Sequence, residues 1–521
     1  MDYRGRRATI MGLGHFGGGA AAARWLAGQG AVVTISDAAD ENSLADSLPL
    51  LADVPMAAIH LGGHHEEHFH GADLVVVNPA VRPDSPWLGV ARQSGARLCT
   101  ELELFIENCP ARIIGVTGSN GKSTTAAMIA SVVNAADRRT FLGGNIGGSL
   151  LDDLPHMTPD DWVVLEISSF QLWHFGFCTP HALREASAHG VCRIHGAVVT
   201  GCSPNHLDWH ASFADYVAAK QRILAGQTPD DFAVLNTLDA EVASWLPMVR
   251  GRAIEMVEST RHTPCADPAH GVCGLRFDLP PLSVPGEHNR INAACAAAAA
   301  AAAGCADSDI RRGLEMFRGL PQRLERIATI DGRRFYNDST ATTPESTTAA
   351  LRSLDAPVAA SSGARGTEEV VGKAFSILED PLRQPPPSPS AVPPHCKRSS
   401  VWLLAGGKSK GFDFGPLAAE IARHACGAAF FGSVRSELLE RVAAVDARFP
   451  CTAVESMQEA LDWCWHRSRP GEALVLSPAC ASTDQFRNFR QRGERFAELV
   501  RGLNARAAPC TCPLTENETM L

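Results

Sequence analysis

The sequence of 521 residues lacks the cysteine patterns that mark a zinc or disulfide framework. None of its sixteen cysteines pair in a C-x-x-C spacing, and the closest two, Cys510 and Cys512, lie near the C-terminus. We therefore expect reduced, mostly buried thiols in a cytoplasmic protein.

Long apolar runs and excess positive charge are also missing. No charged segment followed by a long apolar run opens the chain, so we expect no signal peptide. The longest run of small residues, Ala296 to Ala303, is too short to span a bilayer. The formal net charge of −10 argues against a broad nucleic-acid-binding face but leaves room for a local phosphate pocket. We expect neither a nucleic acid nor a membrane as partner.

The length predicts two to four domains, and three blocks are visible. Apolar strands followed by helical or loop segments predict an α/β protein with parallel sheets. The expected strands are 8–11, 31–35, 74–77, 113–116, 163–167, 197–200, 334–336, 401–404, 428–431 and 473–476. The expected blocks are 1–108, 109–319 and 320–507, with insertions at about 176–194 and, Pro-rich, 359–400, and a disordered tail at 508–521.

The segment after the strand 113–116 carries the strongest signal. Its glycines allow backbone N–H groups to approach phosphate oxygens, Lys122 suits the β- and γ-phosphates, and the Ser123 hydroxyl suits Mg²⁺. The first glycine of the general Walker pattern is missing, because Val116 occupies its position. We predict an ATP site in the segment Gly118, Ser119, Asn120, Gly121, Lys122, Ser123 and Thr124.

A second glycine-rich turn, Gly12 to Gly17, follows the first strand, and Asp37 follows the next. This G-x-G-x-x-G pattern is weaker evidence, since such turns bind NAD, bind other nucleotides or only close a corner. In a chain that already has an ATP loop, a nucleotide-sugar is the better occupant.

Three separated residues suggest metal chemistry. Glu166 ends a strand where it could hold Mg²⁺, although acidic residues there are more often helix caps. His206 could be a ligand or a structural histidine. Lys220 would usually reach solvent, but a buried lysine with a lowered pKa could react with CO₂ to form a carbamate that binds a second Mg²⁺.

Further candidates lie at helix starts and strand ends. Asn289 and Asn292 share one helix face and suit either adenine or helix capping. Arg323 and Asp338 could serve the nucleotide. Residues 406–410 and 477–482 each follow an apolar strand and could cradle a substrate carboxylate. The histidines at 60, 64, 65, 68 and 70 lack a metal-ligand spacing and are interpreted as a solvated loop.

The ordered series of these motifs resembles the Mur ligases, over nearly the whole chain outside the insertions and the tail. The compact T-G-S-N-G-K-S-T loop is typical of Mur ligases and folylpolyglutamate synthases. The segment 476–486, L-S-P-A-C-A-S-T-D-Q-F, resembles the branch that adds D-glutamate, and the D-N-P-R segment expected of the diamino-acid branch is absent.

The resemblance implies a Rossmann-like N-terminal domain for a UDP-sugar, a central P-loop ATPase-type domain and a Rossmann-like C-terminal domain for the amino acid. It implies ATP, two Mg²⁺ ions and a carbamate on Lys220. The implied metal residues are Ser123, Glu166, His206 and Lys220, and the implied nucleotide contacts beyond the loop are Asn289, Asn292, Arg323 and Asp338. The implied UDP-sugar residues are His15, Phe16, Asp37 and Asn145, and the implied D-glutamate residues are Thr342, Lys410, Ser482 and Phe489.

Two departures from the family pattern affect detailed contacts. Thr340 stands where many relatives carry lysine, and Gly201 replaces a common asparagine. The expected reaction joins D-glutamate to UDP-N-acetylmuramoyl-L-alanine through an acyl phosphate, in a monomeric enzyme of peptidoglycan precursor synthesis. The alternatives are another Mur-type or folylpolyglutamate-like ligase, a nucleotide-binding protein without turnover, and an NAD oxidoreductase.

Overall fold

The computed structural model describes residues 2–14, 17–175, 193–255, 273–274, 279–355, 399–409 and 411–507. The chain divides into two compact units, Met1–Leu320 and Pro321–Leu521. The two expected insertions lie almost wholly outside the described residues, and the expected tail lies outside them entirely.

The first sheet of the first unit has five parallel strands in the order β3-β2-β1-β4-β5. This order is that of a Rossmann sheet without its sixth strand. Its central strands are apolar runs that are buried, as expected for a parallel sheet covered on both faces. The strands are β1 (Arg7–Met11), β2 (Val32–Ser36), β3 (Ala58–His60), β4 (Leu74–Val77) and β5 (Arg97–Cys99), and the helices are α1 (Gly18–Gly28), α2 (Pro86–Gln93) and α3 (Glu101–Asn108).

The second sheet of this unit has seven parallel strands in the order β12-β11-β10-β9-β6-β8-β7. Its strands are β6 (Arg112–Thr117), β7 (Thr140–Gly144), β8 (Trp162–Glu166), β9 (Gly196–Val199), β10 (Phe232–Leu235), β11 (Arg252–Glu255) and β12 (Cys273–Gly274). Its helices are α4 (Lys122–Ala135), α5 (Ser169–His174), α6 (Phe213–Gln221), α7 (Ala240–Ala243), α8 (Glu287–Ala302) and α9 (Asp307–Met316).

The alanine-rich helix α8 packs in one core with α4 and the central sheet. Its buried alanines allow close approach of the two helix backbones, and Gly313 of α9 lies against the backbone of Val132 in α4. This packing fixes the start of α4, and with it the end of the predicted phosphate loop.

The second unit contains a six-stranded sheet in the order β13-β14-β18-β15-β16-β17. All neighbours are parallel except β13 and β14, which pair antiparallel at one edge. Its strands are β13 (Glu325–Ile330), β14 (Arg333–Asn337), β15 (Val401–Gly406), β16 (Gly427–Phe431), β17 (Cys451–Ala453) and β18 (Ala473–Leu476). Its helices are α10 (Pro344–Asp355), α11 (Gly415–His424), α12 (Arg435–Val445), α13 (Met457–Arg467) and α14 (Phe489–Ala507).

The predicted fold class is confirmed: the protein is α/β, with three mainly parallel sheets. Every predicted strand is present, with ends that differ by at most two residues. Helix α6 ends at Gln221, and the chain continues as a 3₁₀ turn, Arg222–Leu224. The division into three domains stays a prediction.

Candidate active site

The loop between β6 and α4 is shaped by two glycines with positive φ. Gly118 has φ 152° and Gly121 has φ 81°. A Cβ atom on Gly118 would lie 2.0 Å from Oγ1 of Thr200, and one on Gly121 would lie 2.2 Å from Oδ1 of Asn292. A side chain at either position would require Thr200 or Asn292 to move and would be strained by the positive φ. The loop therefore presents its backbone at the positive end of α4, as an anion site requires.

Two lysine side chains converge on this loop. Nζ of Lys122 donates to the carbonyl oxygens of Gly118 and Ser119, both at 3.0 Å. Nζ of Lys220, on α6, donates to the same oxygen of Gly118 at 2.8 Å and to Oγ1 of Thr117 at 3.4 Å. Two amino groups thus share one neutral oxygen, so an anion placed there would be bound strongly.

Lys220 is 1% exposed and packs over the ring of Tyr216, with Nζ 4.7 Å from the ring centroid. Burial lowers the pKa of Lys220 well below 10.5, and the charge of Lys122 lowers it further. The expected buried lysine is therefore present, with the lowered pKa that carbamate formation requires.

Glu166 ends β8, next to β6 in the sheet. Its carboxylate is almost fully buried, and Oε1 accepts from Nδ2 of Asn145 at 3.0 Å. The backbone N–H of Asn145 also donates to the backbone oxygen of Glu166, at 2.9 Å. The loop after β7 thus holds a carboxylate at the same sheet edge as the phosphate loop. The helix-capping alternative fails for this residue, because Ser168 caps α5.

His206 has a positive φ of 54°, which is uncommon for a residue other than glycine. Its ring lies edge-on to Phe170, with centroids 4.8 Å apart. The neighbouring His210 is fixed more firmly, since its ring nitrogens lie 3.1 Å from Oδ2 of Asp215 and 3.0 Å from Oγ of Ser169. Phe170, on α5, packs against both histidines, so aromatic contacts join the turn that contains them to this helix.

The two asparagines of α8 are joined, because Nδ2 of Asn292 donates to Oδ1 of Asn289 at 3.2 Å. Both are buried, and Asn292 lies against Gly121. Asn292 therefore reaches the phosphate loop and is supported by Asn289, and the shared helix face inferred from their spacing is present.

The first glycine-rich turn is held by Asp37. Oδ2 of Asp37 accepts from the N–H groups of Leu13 at 2.7 Å and Gly14 at 3.3 Å, and Oδ1 accepts from Ala39 at 2.8 Å. This carboxylate organises the turn at the carboxyl end of β1 and β2. His15 and Phe16 lie outside the described residues.

In the second unit, three loops follow the adjacent strands β14, β18 and β15. Asp338 accepts from the Ser477 hydroxyl at 2.7 Å and from the N–H of Leu324 at 2.9 Å. Burial raises the pKa of Asp338 to about 6, against the Ser477 hydrogen bond. The charge of Arg323 also acts against this rise.

Of the predicted amino-acid residues, Thr342 and Ser482 lie on these loops and Phe489 begins α14. Ser482 is buried and its backbone oxygen accepts from Phe486 at 2.9 Å, while the backbone oxygen of Phe489 accepts from the Ser339 hydroxyl at 2.7 Å. Thr342 is half-buried after β14. Lys410 lies outside the described residues.

Three supporting residues were not predicted from the sequence. The hydroxyl of Tyr216 lies 2.9 Å from Oγ of Ser119, and the Thr200 hydroxyl donates to the carbonyl of Asn120 at 2.5 Å. Arg492 is fully buried and donates to the backbone oxygens of Ser339 at 2.9 Å and Cys480 at 3.1 Å. Tyr216 precedes Lys220 by one helical turn, and that spacing was the only available signal.

The described parts of the chain contain no cluster of three or more histidine, cysteine, aspartate or glutamate side chains able to hold a metal ion. None of the helices among the described residues has the length and apolar character of a membrane span. The interpretation of the histidine segment as a solvated loop is wrong for His68, which is buried.

Two family models match the chain. The model described as Mur ligase middle domain matches residues 116–300, and the model described as Mur ligase MurD-like, N-terminal domain matches residues 6–100.

The chain is also similar to curated proteins and to solved structures. A protein of Roseiflexus sp. named UDP-N-acetylmuramoylalanine--D-glutamate ligase is 33% identical, over 96% of this chain and 99% of its own. A protein of Lacticaseibacillus paracasei with the same name is 32% identical, over 97% of each chain. Among solved structures, the UDP-N-acetylmuramate-alanine ligase MurC of Thermotoga maritima aligns over 95% of this chain and 99% of its own, with TM-score 0.57 and 18% identity. This last similarity concerns the fold alone.

Proposed function

The chain belongs to the Mur ligase family, whose members are ATP-dependent amino-acid ligases, and from this premise we propose its reaction. It joins D-glutamate to the L-alanyl carboxylate of UDP-N-acetylmuramoyl-L-alanine, with ATP converted to ADP and phosphate, in peptidoglycan precursor synthesis. Relatives named for this reaction align with nearly the whole chain.

The observation that carries the proposal is the phosphate loop, with Lys122 on its carbonyl oxygens and the buried Lys220 beside it. Lys122 and Lys220 both donate to Gly118, and Glu166 ends the neighbouring strand. A γ-phosphate and a substrate carboxylate repel each other, so a site that brings them together needs concentrated positive charge held in place. The rigid phosphate loop and Lys122 supply it.

Mg²⁺ is expected on the residues of this sheet edge. Ser123, Glu166, His206 and a carbamate on Lys220 are the candidate ligands for two ions, which when bound neutralise charge that develops on the phosphate oxygens. The fit of Lys220 rests on its surroundings: a buried ammonium with only neutral oxygen acceptors is costly, whereas the neutral amine reacts with CO₂.

The remaining chemistry is an ordered pair of displacements. A carboxylate oxygen attacks the γ-phosphorus, which forms an acyl phosphate and releases ADP. The amine of D-glutamate then attacks the acyl carbon, a proton leaves the nitrogen, and phosphate departs. Lys122 holds the transferred phosphoryl group, and no residue forms a covalent intermediate.

The proposal also covers the substrate contacts, residue by residue. We assign the UDP-sugar to the first sheet and the loop after β7, through His15, Phe16, Asp37 and Asn145. We assign the nucleotide contacts beyond the loop to Asn289, Asn292, Arg323 and Asp338, and D-glutamate to Thr342, Lys410, Ser482 and Phe489. The proposal includes three domains, 1–108, 109–319 and 320–507, in a cytoplasmic monomer.

The test is phosphate release by the purified protein with ATP, Mg²⁺ and UDP-N-acetylmuramoyl-L-alanine. We expect release only when D-glutamate is added. Equal release with L-glutamate, L-alanine or a folate in place of the matching substrate would overturn the D-glutamate assignment. No release with any amino acid would favour a nucleotide-binding protein without turnover.

A further inference from the structure

A chain of hydrogen bonds joins two histidines through a serine at the end of β2. Oγ of Ser36 lies 2.7 Å from Nδ1 of His64 and 2.8 Å from Nδ1 of His68. The backbone N–H of His65 also points at Nδ1 of His68, at 3.3 Å. Ser36 and His68 are buried, and none of these side chains belongs to the proposed ATP site.

The donors and acceptors in this series of hydrogen bonds follow from the backbone N–H of His65. Because that N–H donates to Nδ1 of His68, this nitrogen carries no proton and the His68 ring is neutral. The Ser36 hydroxyl then donates to His68, and His64 donates to Ser36. A proton on Nδ1 of His68 would oppose two donors at once, whereas His64 keeps its bond in either charge state.

The same segment fixes Asp37, which follows Ser36. The N–H of Asp37 donates to the backbone oxygen of His60 at 2.9 Å, and its own oxygen accepts from Gly63 at 3.1 Å. The His60 ring stacks on His68, with centroids 4.0 Å apart. A charge on His68 would therefore disturb Ser36, which precedes Asp37, and His60, whose backbone oxygen accepts from Asp37. The carboxylate of Asp37 in turn holds the turn at Leu13 and Gly14.

We propose that Ser36, His64 and His68 are positioning residues that hold Asp37 and the glycine-rich turn in the form that binds the UDP-sugar, and that protonation of His68 weakens this binding. The identity of the ligand rests on the proposed function.

The charged and titratable groups around the two rings determine the pH range in which His68 gains a proton. His60, His65, Glu67 and His64 face His68. Burial, followed by His60 and His65, lowers the pKa of His68, and only Glu67 acts in the opposite direction.

His64 is faced by Asp37 and His65 and packs against the rings of Phe69 and Trp87. Burial also lowers the pKa of His64, although Asp37 opposes this. Both rings are thus neutral at neutral pH and gain protons only in acid.

The experiment measures KM for UDP-N-acetylmuramoyl-L-alanine and kcat between about pH 7.5 and about pH 5.5. For the unmodified protein we expect KM to rise severalfold in acid, with about tenfold as the upper limit for a single histidine whose pKa lies below 6.5, and kcat at saturation to change much less. The side chain introduced by His68→Asn keeps an acceptor near Nδ1 but does not titrate. In this variant we therefore expect the acid rise in KM to fall below about twofold. Ser36→Ala should raise KM at neutral pH, and the exposed His70→Gln should follow the unmodified protein.

A flat KM profile for the unmodified protein, or an unchanged acid rise in His68→Asn, would overturn the inference. Calorimetric titration of the UDP-sugar into the unmodified protein at both pH values provides the same test without turnover or a variant. If D-glutamate-dependent turnover occurs but affinity does not weaken in acid, only this inference fails. If turnover is absent but the affinity for the UDP-sugar weakens in acid, the reaction assignment fails and the proposed role of Ser36, His64 and His68 stands.

Discussion

Lys220 and Lys122 both donate to the carbonyl oxygen of Gly118. Lys220 is 1% exposed, so water hardly stabilises its charge. If Lys220 acts as a carbamate, Lys220→Ala removes an anionic ligand and leaves a cavity of similar shape. We expect kcat to fall by about 100-fold or more. Acetate or another short carboxylic acid should restore part of the activity, measured as phosphate release.

Gln221→Ala, at the next position of α6, serves as the matched control and should retain activity. Full activity of Lys220→Ala without added acid would rule out the carbamate. A loss that no carboxylic acid restores would assign Lys220 a role as a cation.

Gly121 allows a direct test of the phosphate loop. A methyl group there would lie 2.2 Å from Oδ1 of Asn292, on a backbone with φ 81°. Gly121→Ala must displace the Asn292 side chain and strain a backbone that favours glycine, so we expect the apparent ATP affinity to fall by about tenfold or more. The measurement is KM for ATP in the phosphate-release assay.

Gly89→Ala in α2 is the control, because a Cβ there meets no atom within 4 Å. It should leave KM for ATP unchanged and slightly raise helix stability. Normal ATP affinity in Gly121→Ala would mean that the loop adapts to a side chain at this position.

Residues adjacent in sequence were easier to predict than those brought together by folding. The phosphate loop is one continuous segment, and Lys220 and Glu166 lie at ends of elements that the apolar pattern marks. The Ser119–Tyr216 contact spans 97 residues and the Arg492–Ser339 contact spans 153. Such contacts depend on how sheets and helices pack, which local patterns do not encode.

At the scale of secondary structure, His174 at the end of α5 makes stability depend on pH. The ring is fully buried, with Nε2 3.0 Å from the backbone oxygen of Val81. Burial lowers the pKa of His174 from 6.5 to about 4. Between these values the unfolded chain binds more protons than the folded one. The free energy of unfolding should therefore fall by on the order of 3 kcal/mol as the pH drops from about 6.5 to about 4.

Urea unfolding followed by tryptophan fluorescence measures this effect, since Trp173 and Trp209 pack on His174. His174→Gln keeps a donor near Val81 but does not titrate, so its loss of stability in this pH range should be smaller by the same amount. Identical pH profiles for the two proteins would show that His174 is not the titrating group.

Most predicted strands were recognised because burial made them continuously apolar, although β10 (Phe232–Leu235) is equally apolar and buried and was missed. The strands 74–77 and 473–476 have the predicted ends, since all four residues of each are buried. β13 was missed because it is an edge strand with five of its six residues partly or fully exposed, so its sequence shows no apolar run. β7 was missed because two glycines end it. Edge position and glycine content hide a strand from a pattern based on hydrophobicity.

At the scale of the whole molecule, the two units have separate hydrophobic cores. Three core clusters lie within Met1–Leu320 and two lie within Pro321–Leu521. A substitution that loosens one core should therefore leave local protection in the other unit largely intact.

Arg492 tests this separation and the amino-acid assignment together. Its guanidinium joins the loop after β14 to the loop after β18 through Ser339 and Cys480. Arg492→Met removes the donors and leaves buried carbonyl oxygens without them, which should destabilise the second unit by about 2–4 kcal/mol. Hydrogen exchange should then accelerate in peptides from 321–507 and stay unchanged in those from 1–320. Nucleotide binding by the phosphate loop should survive, while KM for D-glutamate rises.

Arg495→Ala, at an exposed position on the same helix, is the control and should change neither hydrogen exchange nor KM for D-glutamate. Faster exchange throughout both units would show that they unfold as one.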